Sequence, residues 1–164
     1  HILCGNLSSG SGFLWSSSLV GEEEMMVRMI QVVNEVSEAF EYTPDETRFG
    51  KIDNWYIMKQ KPYRGDCEDF SLTVLYKLCG ENLPLMLLQL FMGTAKIHYT
   101  HYYGGGHAVL EYRGMYSDNI QKTWVSKKEL LEGGYTFPNR FVYLWGETYW
   151  KLLRGYLHAR KKGK

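Results

Sequence analysis

Apolar residues recur at steps of three and four in the first third of the chain and predict a core-facing amphipathic helix from Glu22 onward. The residues on this stripe are Met26, Met29, Val33, Val36 and Phe40. A second helix is predicted to begin at Asp66 or Cys67 and to end at Leu78, with Gly80 as a left-handed stop. Cys67 would therefore lie in the first helical turn.

The later part of the chain has the short apolar runs typical of strands. The predicted strands are Leu85–Met92, His107–Tyr112, Met115–Ile120 and Phe141–Trp145. Tyr99, Tyr102 and Tyr103 are interpreted as an aromatic loop, next to glycines that would let it move or let a peptide approach. Helices followed by a mostly antiparallel sheet indicate the α+β class.

Two further helices are predicted near the C-terminus. Ser126 and Glu129 have the spacing of a capping box, which indicates a short helix that ends at Gly133. Residues 147–157 are predicted to form a closing helix whose inward side chains are Trp150, Leu153 and Leu157.

A two-residue hairpin at Arg113 and Gly114 would fix the register between the second and third predicted strands. Cross-strand partners would then sum to 227, which places His107 and Asp118 on one face as diagonal neighbours. Such neighbours are about 7–8 Å apart at the backbone, within reach of an imidazole and a carboxylate. A three-residue loop would reverse the parity, so the pairing depends on this turn.

Composition and charge narrow the class of protein. The chain of 164 residues suits one domain, and a net charge of +1 argues against nucleic acid as a partner. We predict a Ser/Gly-rich arm or linker over residues 1–21 and one domain over residues 22–164 with a basic tail. The arm and the tail are candidate contacts for an assembly partner. No apolar run long enough for a membrane span and no secretory leader is visible, so we expect a soluble chain.

Cys67 is the candidate nucleophile, because helix N-terminal amides favour a thiolate and can donate to an oxyanion. The chain has three cysteines, and this small and odd number argues against a disulfide framework. With His107 as base and Asp118 as its orienting group, Cys67 would complete a nucleophilic triad. Zinc is an alternative, since His98, His101 and His107 with Cys67 are preferred ligand types, but their spacing matches no closed zinc site.

The residues around Cys67 resemble the nucleophile signature of the bacterial transglutaminase-like cysteine peptidases. The signature is Gly65, Asp66, Cys67, Glu68, Asp69, followed by Phe70 and Ser71, while residues 107–110 and 117–119 resemble the histidine and aspartate strands of the family. The resemblance covers about residues 30–124. It implies a papain-like or transglutaminase-like α+β core and a cysteine endopeptidase that cleaves a peptide or isopeptide bond in a protein or peptide substrate. Cys67, His107 and Asp118 would be the catalytic residues, and amide transfer would be open to the same acyl-enzyme.

The acidic neighbours of Cys67 have two interpretations. Asp66, Glu68 and Asp69 should raise the pKa of the thiol unless something offsets them, and Ca²⁺, which prefers oxygen ligands, would do so. The resemblance supports calcium, since calcium-dependent adhesin-cleaving proteases of the family use acidic residues beside the cysteine. The alternative is that these carboxylates cap the helix and pair with Arg64 or Lys61.

Two questions of function follow. Asn54 and Trp55 are candidates to position the oxyanion or the substrate, and Asn54 is also a weaker candidate calcium ligand. A second class of function competes with catalysis, namely a non-catalytic or vestigial module that is a structural component of a larger assembly, such as a phage particle.

Overall fold

The chain has an α+β fold in the computed structural model, which describes residues 12–44, 55–138, 142–143 and 145–162. The helices of these ranges are α1 (Gly12–Glu38), α2 (Cys67–Leu78), α3 (Leu83–Met92), α4 (Lys127–Glu132) and α5 (Trp145–Lys162). A short parallel pair, β1 (Phe40–Tyr42) and β2 (Tyr63–Gly65), joins α1 to the start of α2.

The main sheet is antiparallel. Its strands are β3 (Ala95–Tyr102), β4 (Gly105–Tyr112), β5 (Met115–Ser117), β6 (Tyr135–Thr136) and β7 (Val142–Tyr143). The strand order is β5-β4-β3-β6, and β7 pairs with β3 as well. The pair β3 and β4 therefore forms the centre on which the other strands are placed.

The two faces of the sheet are covered differently. Helices α1 and α2 pack together, and α2 packs on β4, so the larger core lies on this side. Met29, Val33 and Val36 are buried here, as their spacing predicted, whereas Met26 is exposed. On the opposite face Val109, Tyr116, Leu130 and Tyr135 form a smaller cluster beneath α4.

The predicted hairpin register is confirmed. Tyr112 pairs with Met115 and Leu110 with Ser117, so partners sum to 227. Arg113 and Gly114 have φ values of 51° and 80°, the left-handed pair that a tight hairpin turn needs. Strand β5 ends at Ser117, three residues before the predicted end at Ile120.

The prediction of a strand over Leu85–Met92 was wrong, because this run is helix α3. Asn82 accepts a hydrogen bond from the Leu85 amide at 3.0 Å, which caps the helix, and Pro84 occupies its first turn. Gly93 ends it with a φ of 74°. The apolar run misled us because several of its residues are exposed on the surface rather than buried in a sheet.

The helices near the two ends of the chain differ in part from the predictions. Helix α1 begins at Gly12, ten residues before the predicted start, so residues 12–21 are helical although we interpreted them as a linker. The capping box at Ser126 and Glu129 is confirmed.

Helix α5 was predicted, but Trp150 and Leu157 are exposed rather than inward. Gly155 faces the core instead, where a Cβ would collide with the backbone of Trp55.

Four strands of the described residues were missed. Residues 95–102 form strand β3, so most of the predicted aromatic loop is the central strand and only its tip at Tyr103 and Gly104 is a turn. Strand β1 begins at Phe40, which was predicted to belong to the first helix, and no element was predicted for strand β2. Strand β6 is two residues long, too short to show alternation.

Phe70→Ala should destabilise the fold by about 3–5 kcal/mol, because the side chain is fully buried and packs edge-on against Phe40. The matched control is Phe91→Ala, since Phe91 is 59% exposed and its loss should change stability by less than about 1 kcal/mol. Urea unfolding of both variants measures the difference. Equal losses would contradict the placement of the core.

Candidate active site

Cys67 is the first residue of helix α2 and follows directly on strand β2. Asp66 caps the helix, and its Oδ1 accepts the Asp69 N–H at 3.3 Å. A Cβ at Gly65 would lie 2.6 Å from Asp69 Cβ and Oδ2. Only glycine therefore lets the strand end so close to the helix, which explains the Gly-Asp-Cys order in physical terms.

Asp69 ties residues 55–58 to helix α2. It is fully buried, and its Oδ1 accepts the Tyr56 N–H at 2.6 Å. One turn further on, Thr73 Oγ1 accepts the Met58 N–H at 3.0 Å. Because both bonds use side chains of α2, residues 55–58 are held at a fixed position relative to Cys67.

The sulfur of Cys67 contacts the edge of strand β4. Its Sγ accepts the Ala108 N–H at 3.4 Å. Backbone N–H groups alternate between the two edges of an antiparallel strand, so the Ala108 N–H points to the same edge of β4 as the Leu110 N–H. Leu110 pairs with β5 at this edge, but β5 ends at Ser117 and does not reach Ala108. His107 precedes Ala108, so its Cα lies within about 6 Å of the sulfur by bond lengths alone. An imidazole can span such a distance.

His107 is joined to Asp118 on the predicted face. His107 Nε2 and Asp118 Oδ2 are 2.8 Å apart, and both side chains are buried. Burial alone would raise the pKa of Asp118, but hydrogen bonds from His107, Tyr135 and the Gln121 N–H lower it below the ordinary value. An ionised carboxylate only accepts, so His107 Nε2 donates to it, and Nδ1 is the ring nitrogen that this hydrogen bond leaves unused.

The thiol itself is held in its protonated form. It donates to Glu68 Oε2 at 3.0 Å, and among the described residues its hydrogen bonds run to Glu68 and Ala108, not to the imidazole. Burial, and then the charge of Glu68, raise the pKa of the Cys67 thiol, while the Ala108 N–H lowers it. In this arrangement the thiol proton is directed to Glu68 rather than to the imidazole.

The three carboxylates around Cys67 do not converge on one point. Asp66 caps the helix, Glu68 accepts from the thiol, and buried Asp69 accepts from Tyr56. In the described ranges no group of three His, Cys, Asp or Glu side chains is arranged to hold a metal. These residues thus do not fit a calcium cage, and Ca²⁺ stays a prediction from the sequence.

The zinc alternative gains no support from the histidines either. His98 Nε2 lies 2.6 Å from Glu111 Oε2, and His107 is held by Asp118. Two of the three candidate rings thus have a carboxylate partner of their own, and His101 contacts Tyr99 instead.

The candidates for oxyanion or substrate positioning are placed only in part. Asn54 lies outside the described residues. Trp55 is buried, its ring lies 4.6 Å from Lys151 Nζ, and it lines an apolar cleft with residues of α3 and α5. The role given to Asn54 and Trp55 stays a prediction.

Sequence reasoning missed Tyr135, which contacts the site. Its hydroxyl donates to Asp118 Oδ2 at 2.6 Å, and its ring centroid lies 5.9 Å from that of His107. Strand β6 pairs Tyr135 with Tyr102 and so brings it under the histidine. No spacing rule signals a residue that lies 17 positions from its partner and arrives through strand order.

A thiol at the start of a helix, against a histidine strand of an antiparallel sheet, is an arrangement of the cysteine-peptidase class. The comparison with known families agrees, since the family model described as bacterial transglutaminase-like cysteine proteinase matches residues 15–140. The match covers most of the chain, and the chain belongs to this family. No curated protein matches it.

Family membership fixes the coarse function. The family is one of cysteine peptidases, which act on protein substrates. As for membranes, no helix within the described residues combines the length and the apolar character needed to cross a bilayer. The roles of individual residues need a separate argument.

Glu68→Gln should make Cys67 more reactive. Removing the charge beside the sulfur lowers the pKa of the thiol, which Glu68 raises, so more thiolate is present at any pH below that pKa. We expect the rate of alkylation by iodoacetamide at pH 8 to rise roughly threefold to tenfold. Peptide mapping by mass spectrometry follows Cys67 separately from Cys4 and Cys79.

The control for this experiment is Glu132→Gln on the exposed surface of α4, which should leave the rate unchanged. An unchanged or slower rate in Glu68→Gln would mean that the Glu68 charge does not oppose ionisation of Cys67.

Proposed function

We propose that the chain is a cysteine endopeptidase that hydrolyses a peptide or isopeptide bond through Cys67, His107 and Asp118. The observation that carries the proposal is the convergence of two contacts at the β4 edge. The sulfur accepts the Ala108 N–H at 3.4 Å, and the preceding residue, His107, is bound through Nε2 to Asp118 at 2.8 Å. Because Nε2 is bound to Asp118, His107 Nδ1 is the ring nitrogen that can act as the base. His107 comes directly before Ala108, the residue whose N–H contacts the sulfur.

The chemical steps follow from these groups. The Cys67 thiol gives its proton to His107 Nδ1, and the thiolate attacks the carbonyl carbon of the scissile bond. His107 then protonates the departing amine, which leaves a thioester on Cys67. Water, deprotonated by His107, hydrolyses the thioester and restores the thiol. An amine in place of water would give amide transfer from the same intermediate.

Asp118 supports these steps without touching the substrate. Its carboxylate is fully buried and accepts from His107, so it holds the Nε2–H tautomer and stabilises the imidazolium once the thiol proton has moved. The amides at the start of α2 supply positive potential for the thiolate and the oxyanion.

One observation favours the second candidate function, a non-catalytic module of a larger assembly. The thiol donates to Glu68, and burial raises its pKa, and both effects oppose the thiolate of an activated nucleophile. In that case the His107 and Asp118 pair would only stabilise the sheet.

His107→Ala decides between the two functions. As the base for Cys67, His107 should accelerate alkylation of this thiol, and its loss should slow labelling by iodoacetamide at neutral pH by about a hundredfold or more. Mass spectrometry of the Cys67 peptide gives the rate, with buried Cys79 as an internal reference.

His101→Ala is the matched control, because His101 lies on the neighbouring strand and its Nε2 is 3.4 Å from Tyr99 Oη rather than near a carboxylate. Its labelling rate should equal that of the unmodified chain. If His107→Ala labels as fast as His101→Ala, the catalytic function is lost and the assembly module stands.

A further inference from the structure

We infer that Tyr135 is a positioning residue of this site, whose hydroxyl holds the Asp118 carboxylate in the one orientation that fixes the His107 imidazole. The catalytic consequence of this inference rests on the function proposed above. The positioning itself is a property of the three side chains and is open to measurement without any reaction.

The first support is that Tyr135 and His107 share one oxygen. Tyr135 Oη donates to Asp118 Oδ2 at 2.6 Å, and His107 Nε2 lies 2.8 Å from the same atom. Tyr135 is 1% exposed and Asp118 is fully buried, so water cannot readily replace the hydroxyl. A hydroxyl bound to a buried carboxylate contributes more than a neutral hydrogen bond does.

The second support is that the rest of the carboxylate is already anchored. Asp118 Oδ1 accepts the Ile120 and Gln121 N–H groups at 2.9 and 2.6 Å. A carboxylate has about four lone-pair directions, and these four donors occupy them. Without Tyr135, Oδ2 would keep His107 as its partner but lose the second donor that fixes the direction of approach.

The direction of the Tyr135 hydrogen bond follows from the surroundings. Burial and the neighbouring Asp118 raise the pKa of the Tyr135 hydroxyl, so it keeps its proton and donates. Asp118, whose pKa is lowered, stays an acceptor toward both partners. The imidazole then presents Nε2–H to the carboxylate, and Nδ1 lies on the other side of the ring.

Tyr135 is itself held in place. Strand β6 pairs it with Tyr102, and the two rings lie 4.7 Å apart. Gln121 Nε2 donates to the Tyr135 hydroxyl at 3.4 Å. The short strand β6 thus holds Tyr135 beneath His107 by backbone pairing, ring packing and a side-chain bond.

The same sheet offers a matched comparison. Tyr116 donates to Glu111 Oε2 at 3.1 Å, and His98 Nε2 lies 2.6 Å from that oxygen. Tyr116 is buried like Tyr135. Tyr116→Phe therefore removes the same kind of hydroxyl from the same kind of trio, without touching Asp118 or His107.

The experiment compares Tyr135→Phe with Tyr116→Phe in the full chain. Two readouts are taken, namely the rate of Cys67 alkylation by iodoacetamide and the ¹⁵N chemical shifts of the His107 ring, assigned with His107→Ala. Melting temperatures of both variants show how much of any effect comes from stability.

In Tyr135→Phe we expect Cys67 alkylation to slow roughly tenfold to a hundredfold, as one charge-assisted hydrogen bond is lost. The His107 nitrogen shifts should move from a single Nε2–H tautomer toward a mixture of tautomers. Tyr116→Phe should match the parent in both readouts, within about twofold for the rate, even where its loss of melting temperature is similar.

The two readouts separate this inference from the proposed function. If the His107 shifts of Tyr135→Phe equal those of Tyr116→Phe, Tyr135 does not position the histidine and the inference is overturned. If those shifts change while alkylation of Cys67 is independent of His107, Tyr135 positions the ring and it is the catalytic function that fails.

Discussion

The early end of strand β5 is the constraint on which the site depends. Strand β5 pairs with β4 as far as Ser117 and Leu110 and then stops. The Ala108 N–H on the same edge therefore remains for the sulfur of Cys67. The next residue after the strand is Asp118, which turns inward to His107. A strand two residues longer would pair Asn119 with Ala108 and place a backbone carbonyl where the sulfur lies.

Two carboxylates have opposite effects on proton transfer from Cys67 to His107. Glu68 and burial raise the pKa of the Cys67 thiol, whereas the Asp118 carboxylate lies where it would stabilise an imidazolium at His107. A buried ion pair is costly to form when one partner already lies beside a like charge. Movement of Glu68 away from the sulfur would lower the pKa of the Cys67 thiol. The position of this one carboxylate therefore sets how readily a thiolate forms at Cys67.

Local rules predicted the parts of the fold and of the site that depend on neighbours in sequence. The turn at Arg113 and Gly114 fixed a register, and the register placed His107 and Asp118 on one face. The start of α2 at Cys67 followed from spacing and capping in the same way. These inferences hold because a turn or a cap leaves the chain few conformations.

Tertiary context decided the rest. The run from Leu85 to Met92 has the apolar content of a strand, yet the Asn82 cap and surface exposure make it a helix. Strand β3 was hidden because its polar and aromatic residues find partners only on other strands, as His98 does with Glu111. Tyr135 was missed for the same reason. The order of the strands in the sheet brings Tyr135 next to Asp118 and His107, and no local sequence pattern predicts that order.

The sheet contains two trios of tyrosine, carboxylate and histidine, at Tyr135 with Asp118 and at Tyr116 with Glu111. A geometric search template built from these three groups alone would select both places on this molecule. What differs is the neighbour of the histidine, since only the His107 strand brings its backbone against a cysteine sulfur among the described residues. Templates for recognising such sites in other folds should therefore include the backbone donor to the sulfur as a fourth point.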